Sequence, residues 1–63
     1  MISAGIDVGS ISTKAALVQD GRLVHSVVIA TGYNARRAAD NVFEAVVSGA
    51  GLRAPDVARI VAT

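Results

Sequence analysis

The residue with the clearest chemical potential stands at the end of the first apolar run. Asp7 lies between the β-branched residues Ile6 and Val8, so we expect it at the end of a short strand. A carboxylate placed beside phosphate groups usually serves a magnesium ion, either directly or through its water molecules. Asp7 is therefore a candidate magnesium-binding residue, provided that the turn after it binds phosphate.

The turn after Asp7 is rich in hydrogen-bond donors. Gly9 lets the chain turn back where a side chain would crowd a ligand or the returning backbone. Lys14 places a positive charge at the edge of the turn. Oligophosphate oxygens need hydroxyl and backbone N–H donors, and the hydroxyl residues here are Ser10, Ser12 and Thr13. On composition alone such a segment is most often a β-hairpin turn without a ligand, and phosphate binding is the alternative interpretation.

Two other phosphate-binding motifs do not fit this segment. A Walker A loop requires Gly-Lys-Ser/Thr at the start of a helix, and no such sequence occurs here. The dinucleotide motif Gly-x-Gly-x-x-Gly does not fit either, because Gly9 is the one glycine in the turn. The segment therefore matches neither of these two motifs.

The length and composition restrict the possible function classes. We expect 63 residues to form one small domain over 1–63. Six basic residues against five acidic ones give a net charge of +1, with no basic stripe that would indicate a nucleic-acid partner. The absence of cysteine excludes a disulfide and a thiolate metal site within these residues.

The hydropathy pattern favours a cytoplasmic protein without a membrane partner. The longest unbroken apolar run is four residues, which is far too short to span a bilayer. Met1 leads directly into a predicted strand without a basic start, so we expect no secretory signal.

The periodicity predicts an α/β arrangement in the order β-β-β-α-β. The three first strands are predicted at 2–8, 13–19 and 22–30, the helix at 35–50 and the last strand at 57–63. Asp20-Gly21 is a two-residue turn signal that joins the second and third strands as a hairpin. Asn34 suits the N-cap of the helix, and Gly51 suits the position just beyond its end.

Both faces of the predicted sheet are apolar, although the chain offers one long helix to cover them. In the third strand we expect Leu23, His25 and Val27 to share a face, with His25 as a core or boundary residue rather than a ligand. The second apolar face predicts that the chain is part of something larger or pairs with another surface.

The segment around Asp7 closely resembles the first phosphate loop of the superfamily that contains actin, sugar kinases and heat-shock chaperone ATPases. The matching residues are Ile6-Asp7-Val8-Gly9-Ser10 and Ser12-Thr13-Lys14. The downstream segments are similar to one branch, the ATP-dependent activators of 2-hydroxyacyl-CoA dehydratases and the related ATPase subunits of benzoyl-CoA reductase. Those segments are Gly32-Tyr33-Asn34, the alanine-rich helix and Ile60-Val61-Ala62-Thr63. The resemblance implies an incomplete, ribonuclease H-like (actin-like) ATPase half-domain.

The resemblance also implies ATP and magnesium as cofactors and a role for each residue of the loop. Asp7 would be the catalytic carboxylate that holds magnesium through water, and Lys14 would neutralise phosphate charge. The backbone and hydroxyl groups that would cradle the β- and γ-phosphates belong to Gly9, Ser10, Ser12 and Thr13.

The activators that this chain resembles are homodimers that share a [4Fe-4S] cluster and use ATP hydrolysis to drive an electron into a dehydratase or reductase. This chain has no cysteine, so it offers no ligand for that cluster. The second phosphate loop and the adenosine pocket of the family are also missing, so we expect the parent protein to be an ATPase and the isolated chain to be inactive. Two alternatives stay open, a fragment of a sugar or acyl kinase of the same superfamily and a non-enzymatic α/β module that binds a partner.

Overall fold

The computed structural model describes all residues, 1–63, and it contains four strands and one α-helix. The strands are β1 (Ile2–Val8), β2 (Ser12–Gln19), β3 (Arg22–Ala30) and β4 (Arg59–Ala62). The helix α1 spans Ala35–Gly49, and a short 3₁₀ turn at Ala54–Asp56 precedes β4. The predicted α/β class and the order β-β-β-α-β are confirmed. No helix has the length and the apolar character that crossing a membrane requires.

The four strands form one sheet in the order β3-β2-β1-β4. The first three strands are antiparallel neighbours, whereas β4 lies parallel to β1 after the crossover through α1. This topology brings four chain segments to one edge of the sheet. The ends of β1, β3 and β4 meet there with the start of β2, so the segment after Asp7 lies beside Thr31 and Thr63.

The opposite edge holds the predicted hairpin turn. Asp20 and Gly21 both have positive φ, 52° and 79°, which is the backbone geometry that a two-residue turn needs. The amino group of Met1 lies 3.5 Å from the Asp20 carboxylate, but both groups are largely exposed, so this ion pair contributes little to stability.

The hydrophobic core lies between α1 and one face of the sheet. Alternate residues of β1 and β2 point toward the helix, whose buried valines fill the space between them. The buried cluster consists of Ala4, Ile6, Ala15, Leu17, Val42, Val46 and Val47. The opposite face of the sheet, called the open face below, carries no helix and exposes Val28 and Val61.

The strand β3 contains a bulge that changes which residues share a face. Leu17 pairs with His25 and Val18 pairs with Leu23, so Val24 is an extra residue without a partner in β2. An extra residue reverses the alternation of side chains beyond it. The prediction that Leu23 shares a face with His25 is therefore wrong, and Leu23 is 65% exposed. His25 is half-buried against α1, where a Cβ on Gly49 would overlap its imidazole.

The helix ends one residue earlier than predicted, and β4 is shorter at both ends. Gly51 has φ 74°, and its N–H donates to the Ser48 carbonyl while the Leu52 N–H donates to the Val47 carbonyl at 3.0 Å. These two bonds form a Schellman motif. The strand β4 begins at Arg59 because the backbone before it forms the 3₁₀ turn, closed by a bond from the Val57 N–H.

The N-cap of α1 gives a first prediction. The Asn34 Oδ1 accepts from the Arg37 N–H at 3.1 Å, and we expect Asn34→Ala to lower the free energy of unfolding by about 1 kcal/mol. Urea denaturation measures this loss. Asn41→Ala is the matched control, because Asn41 is exposed within the helix and alanine is the better helix former there. Equal stability of the two variants would show that the cap does not stabilise the helix.

Candidate phosphate-binding site at the edge of the sheet

The turn between β1 and β2, called the 9–12 loop below, is tightly closed. The Gly9 N–H donates to the Ser12 carbonyl at 2.9 Å. A Cβ on Gly9 would lie 2.8 Å from that same oxygen, which is closer than a real Cβ contact permits. The loop in this conformation therefore requires glycine at position 9.

Thr31, the residue that follows β3, bonds to the loop on the side of the core. The Thr31 N–H donates to the Ile11 carbonyl at 2.9 Å, and the Thr31 hydroxyl donates to the Gly9 carbonyl at 2.7 Å. The Thr13 hydroxyl lies 2.8 Å from the Thr31 hydroxyl. Because a hydroxyl has one hydrogen and Thr31 uses its own on Gly9, Thr13 is the donor in this pair.

These bonds make the 9–12 loop a surface of donors. The carbonyl groups of Gly9, Ile11 and Ser12 all accept hydrogen bonds within the chain. The backbone N–H groups of Ser10 and Ile11 donate to no acceptor in the chain. Both residues are exposed, so two consecutive amide donors are free, and among the loop carbonyls that of Ser10 alone is also unbonded. A turn with free N–H groups is suited to binding an anion.

The two charged residues of the predicted site flank this loop on the open face. Asp7 of β1 and Lys14 of β2 are direct register partners, and both are exposed. Opposite residues of an antiparallel pair have Cβ atoms about 4.5–5.5 Å apart, so both side chains lie close together. They form no ion pair with each other, since the ion pair of this chain joins Met1 to Asp20. The carboxylate and the ammonium are therefore both available to a ligand.

Thr63 is a site residue that the sequence did not single out. Its hydroxyl lies 3.4 Å from the Asp7 Oδ1, and its backbone N–H donates to the Ile6 carbonyl at 2.9 Å. Its own carbonyl accepts from the Val8 N–H at 3.2 Å. The signal for it was the parallel alignment of the first and last strands, because the carboxyl ends of parallel strands meet at one edge.

An open depression of about 490 Å³ continues from Asp7 and Lys14 across the open face. Small residues form its floor at the centre of the sheet, namely Gly5 and Ala16, and the branched side chain of Val61 lies at its rim.

The predicted site residues divide into two groups. The residues that reach the surface around the loop are Asp7, Gly9, Ser10 and Lys14, with Ser12 half-buried beside them. Thr13 points into the core instead and is fully buried, with its hydroxyl bonded to Thr31. The Thr13 hydroxyl is therefore occupied by Thr31 and does not face a ligand.

No family model and no curated protein matches this sequence. Among solved structures, the chain is similar to component A of the (R)-2-hydroxyglutaryl-CoA dehydratase of Acidaminococcus fermentans. The two share 27% identity and superpose with a TM-score of 0.87 over 98% of this chain. The predicted resemblance to the dehydratase activators is confirmed.

The likeness to component A covers the whole sheet and its helix. They match part of an actin-like ATPase half-domain, as the resemblance implied. The chain spans about a quarter, 24%, of the length of component A. The likeness therefore supports the fold and the activator-type family, and it covers too little of component A to show the activity of a whole activator.

The donor set of the loop fits magnesium bound to a nucleotide phosphate. The chain has no cluster of three or more acidic, histidine or cysteine side chains that could hold a metal by itself. Magnesium in such sites usually keeps several waters and binds one or two carboxylates together with substrate phosphates. Asp7 supplies one exposed carboxylate, and the free N–H groups of the loop supply phosphate donors. An iron–sulfur cluster does not fit, because these residues include no cysteine.

Proposed function

We propose that this chain is the ATP phosphate-binding segment of an ATPase that activates a 2-hydroxyacyl-CoA dehydratase, or a benzoyl-CoA reductase, by ATP-driven electron transfer. The observation that carries the proposal is the donor surface of the 9–12 loop between Asp7 and Lys14. It occurs in a fold that superposes on a dehydratase component A. Residues 1–63 are, in this proposal, the N-terminal part of a larger cytoplasmic ATPase domain.

The proposed mechanism depends on positioning and electrostatics, as phosphoryl transfer generally does. The N–H groups of Ser10 and Ile11 bind phosphate oxygens, and Lys14 neutralises part of the phosphate charge. Asp7 would hold magnesium through its water molecules, and the Thr63 hydroxyl lies beside this carboxylate, 3.4 Å from Oδ1. Magnesium, when bound, supplies further positive charge at the phosphates. Donors fixed before the reaction need no reorganisation, which is why a rigid loop favours catalysis.

The remaining steps of activation need groups outside these residues. The [4Fe-4S] cluster that passes the electron would be held by cysteines elsewhere in the parent homodimer, and the electron would pass to the dehydratase or reductase partner. The second phosphate loop and the adenosine pocket of the family would also lie outside these residues, so the isolated chain would bind nucleotide weakly without turning it over. Steady ATP hydrolysis by the purified 63-residue chain would contradict this part of the proposal.

The proposal predicts that nucleotide binding depends on magnesium through Asp7. We expect calorimetry with a non-hydrolysable ATP analogue to show weak binding that magnesium strengthens. In Asp7→Asn we expect the magnesium-dependent affinity to fall by about 10- to 100-fold, the usual loss when a residue that orients metal-bound groups is removed.

Asp20→Asn is the matched control for this experiment. Asp20 is an exposed carboxylate at the opposite edge of the sheet, and asparagine tolerates the positive φ of that turn. Its affinity should equal that of the wild-type chain. Equal magnesium dependence in Asp7→Asn and Asp20→Asn would remove Asp7 from the site.

A further inference from the structure

We propose that Thr31 is a positioning residue of the phosphate site, and that its hydroxyl, by holding the Gly9 carbonyl, keeps the 9–12 loop in the conformation that leaves the N–H groups of Ser10 and Ile11 unbonded. This inference rests on the proposed function, because those N–H groups are the proposed phosphate donors. Thr31 itself is nearly buried, 9% exposed, and it contacts the loop from the side of the core.

The two buried hydroxyls form a series of hydrogen bonds in which donation has one possible direction. Thr13 and Thr31 are the buried polar residues of the protein, and no buried side-chain oxygen or nitrogen is left without a partner. Each hydroxyl has a single hydrogen, so the order of donation is Thr13 to Thr31 to the Gly9 carbonyl. The last acceptor in this series of hydrogen bonds is therefore a carbonyl of the loop rather than a group of the core.

Thr31 fixes the two carbonyls on either side of Ser10. Its hydroxyl binds the Gly9 carbonyl at 2.7 Å, and its N–H binds the Ile11 carbonyl at 2.9 Å. Without the hydroxyl, the Gly9 carbonyl has no internal donor and is free to rotate toward solvent. A carbonyl oxygen turned outward would repel phosphate oxygens and would turn the adjoining Ser10 N–H inward, since both belong to one peptide plane.

Three variants separate this role from a general contribution to the core. Thr31→Val removes the hydroxyl and keeps the shape and the backbone N–H. Thr31→Ser keeps the hydroxyl. Thr13→Val removes the other hydroxyl of the same buried pair but leaves the bond from Thr31 to Gly9 in place.

The first readout needs no ligand, because the Gly9 N–H bond to the Ser12 carbonyl reports whether the loop is closed. We expect hydrogen exchange of the Gly9 amide in Thr31→Val to be about tenfold faster relative to the amides of β1 and β2, as for local opening of a loop. Thr31→Ser and Thr13→Val should keep the wild-type ratio. The reference amides correct for any loss of global stability in a variant.

The second readout is the affinity for the magnesium complex of a non-hydrolysable ATP analogue. We expect about a tenfold loss in Thr31→Val, the effect of one misplaced hydrogen-bonding group, with little change in Thr31→Ser and Thr13→Val. Wild-type exchange at Gly9 in Thr31→Val would overturn the inference, and so would equal acceleration in Thr13→Val. If the exchange pattern holds but the wild-type chain binds no analogue, the loop-positioning role of Thr31 is supported and the proposed function fails.

Discussion

Replacing Gly9 with alanine is expected to weaken nucleotide binding by about 10- to 100-fold. The added Cβ would lie 2.8 Å from the Ser12 carbonyl oxygen, which is backbone and cannot swing away. Overpacking of this kind costs about 1–3 kcal/mol, and each 1.4 kcal/mol corresponds to a factor of ten in affinity. The loop must open to relieve the contact, and its N–H groups then lose their arrangement. Calorimetry with the magnesium complex of the ATP analogue measures the loss.

Gly5→Ala is the matched control for Gly9→Ala. Gly5 lies in β1, the strand that leads into the 9–12 loop, and a Cβ there would meet no atom within 4 Å. We expect Gly5→Ala to bind the analogue with wild-type affinity. Equal affinities of the two alanine variants would show that closure of the 9–12 loop is not needed for binding.

Replacing Leu17 with alanine is expected to cause the largest loss of stability. Leu17 is fully buried at the centre of the cluster between α1 and the sheet. A leucine-to-alanine change in a core lowers the free energy of unfolding by about 2–5 kcal/mol, through lost burial and the cavity left behind. Small domains are only marginally stable, so this loss should remove most of the folded population. Urea denaturation followed by circular dichroism measures it.

Ile11→Ala provides the control for Leu17→Ala. Ile11 is 84% exposed at the tip of the loop, and removing its side chain should change the free energy of unfolding by less than about 0.5 kcal/mol. A Leu17→Ala variant as stable as Ile11→Ala would mean that the packing of α1 on the sheet does not hold the fold together.

The elements with strong local signals could be predicted from the sequence. β1 and β3 have the predicted bounds, and the Asp20-Gly21 turn has the predicted positive φ at both residues. Asn34 caps the helix, and Gly51 has the left-handed backbone that follows its end. Each of these features depends on a few neighbouring residues, so composition and spacing are sufficient to locate it.

The features that depend on distant contacts could not be predicted in the same way. The bulge at Val24 depends on pairing between β2 and β3, and no local pattern in β3 marks it. Thr31 reaches Thr13 and Gly9 across 18 and 22 positions of sequence. A threonine in a loop carries no signal of such a contact, which is why its support of the loop emerges only from the structure.

The candidate site was predicted as a set of residues but not as a conformation. The motif around Asp7 and Lys14 indicated phosphate binding, whereas the inward direction of Thr13 follows from its alternation with Ala15 and Leu17. The set of free N–H groups depends on the conformation of the loop, which is fixed by the donors that bind its carbonyls. These donors belong to Thr31, just after β3, and to Gly9 across the turn. The sequence therefore predicts the chemistry of the loop, and the tertiary contacts determine which donors it presents.

The most direct test of phosphate binding by the 9–12 loop is an NMR titration of the ¹⁵N-labelled chain with the magnesium complex of a non-hydrolysable ATP analogue. We predict that the amide signals of Ser10 and Ile11 shift most, with smaller shifts at Asp7 and Lys14. The amides around the Asp20-Gly21 turn should stay unchanged. Shifts centred on the start of α1, or no shift at millimolar analogue, would contradict a phosphate site on this loop.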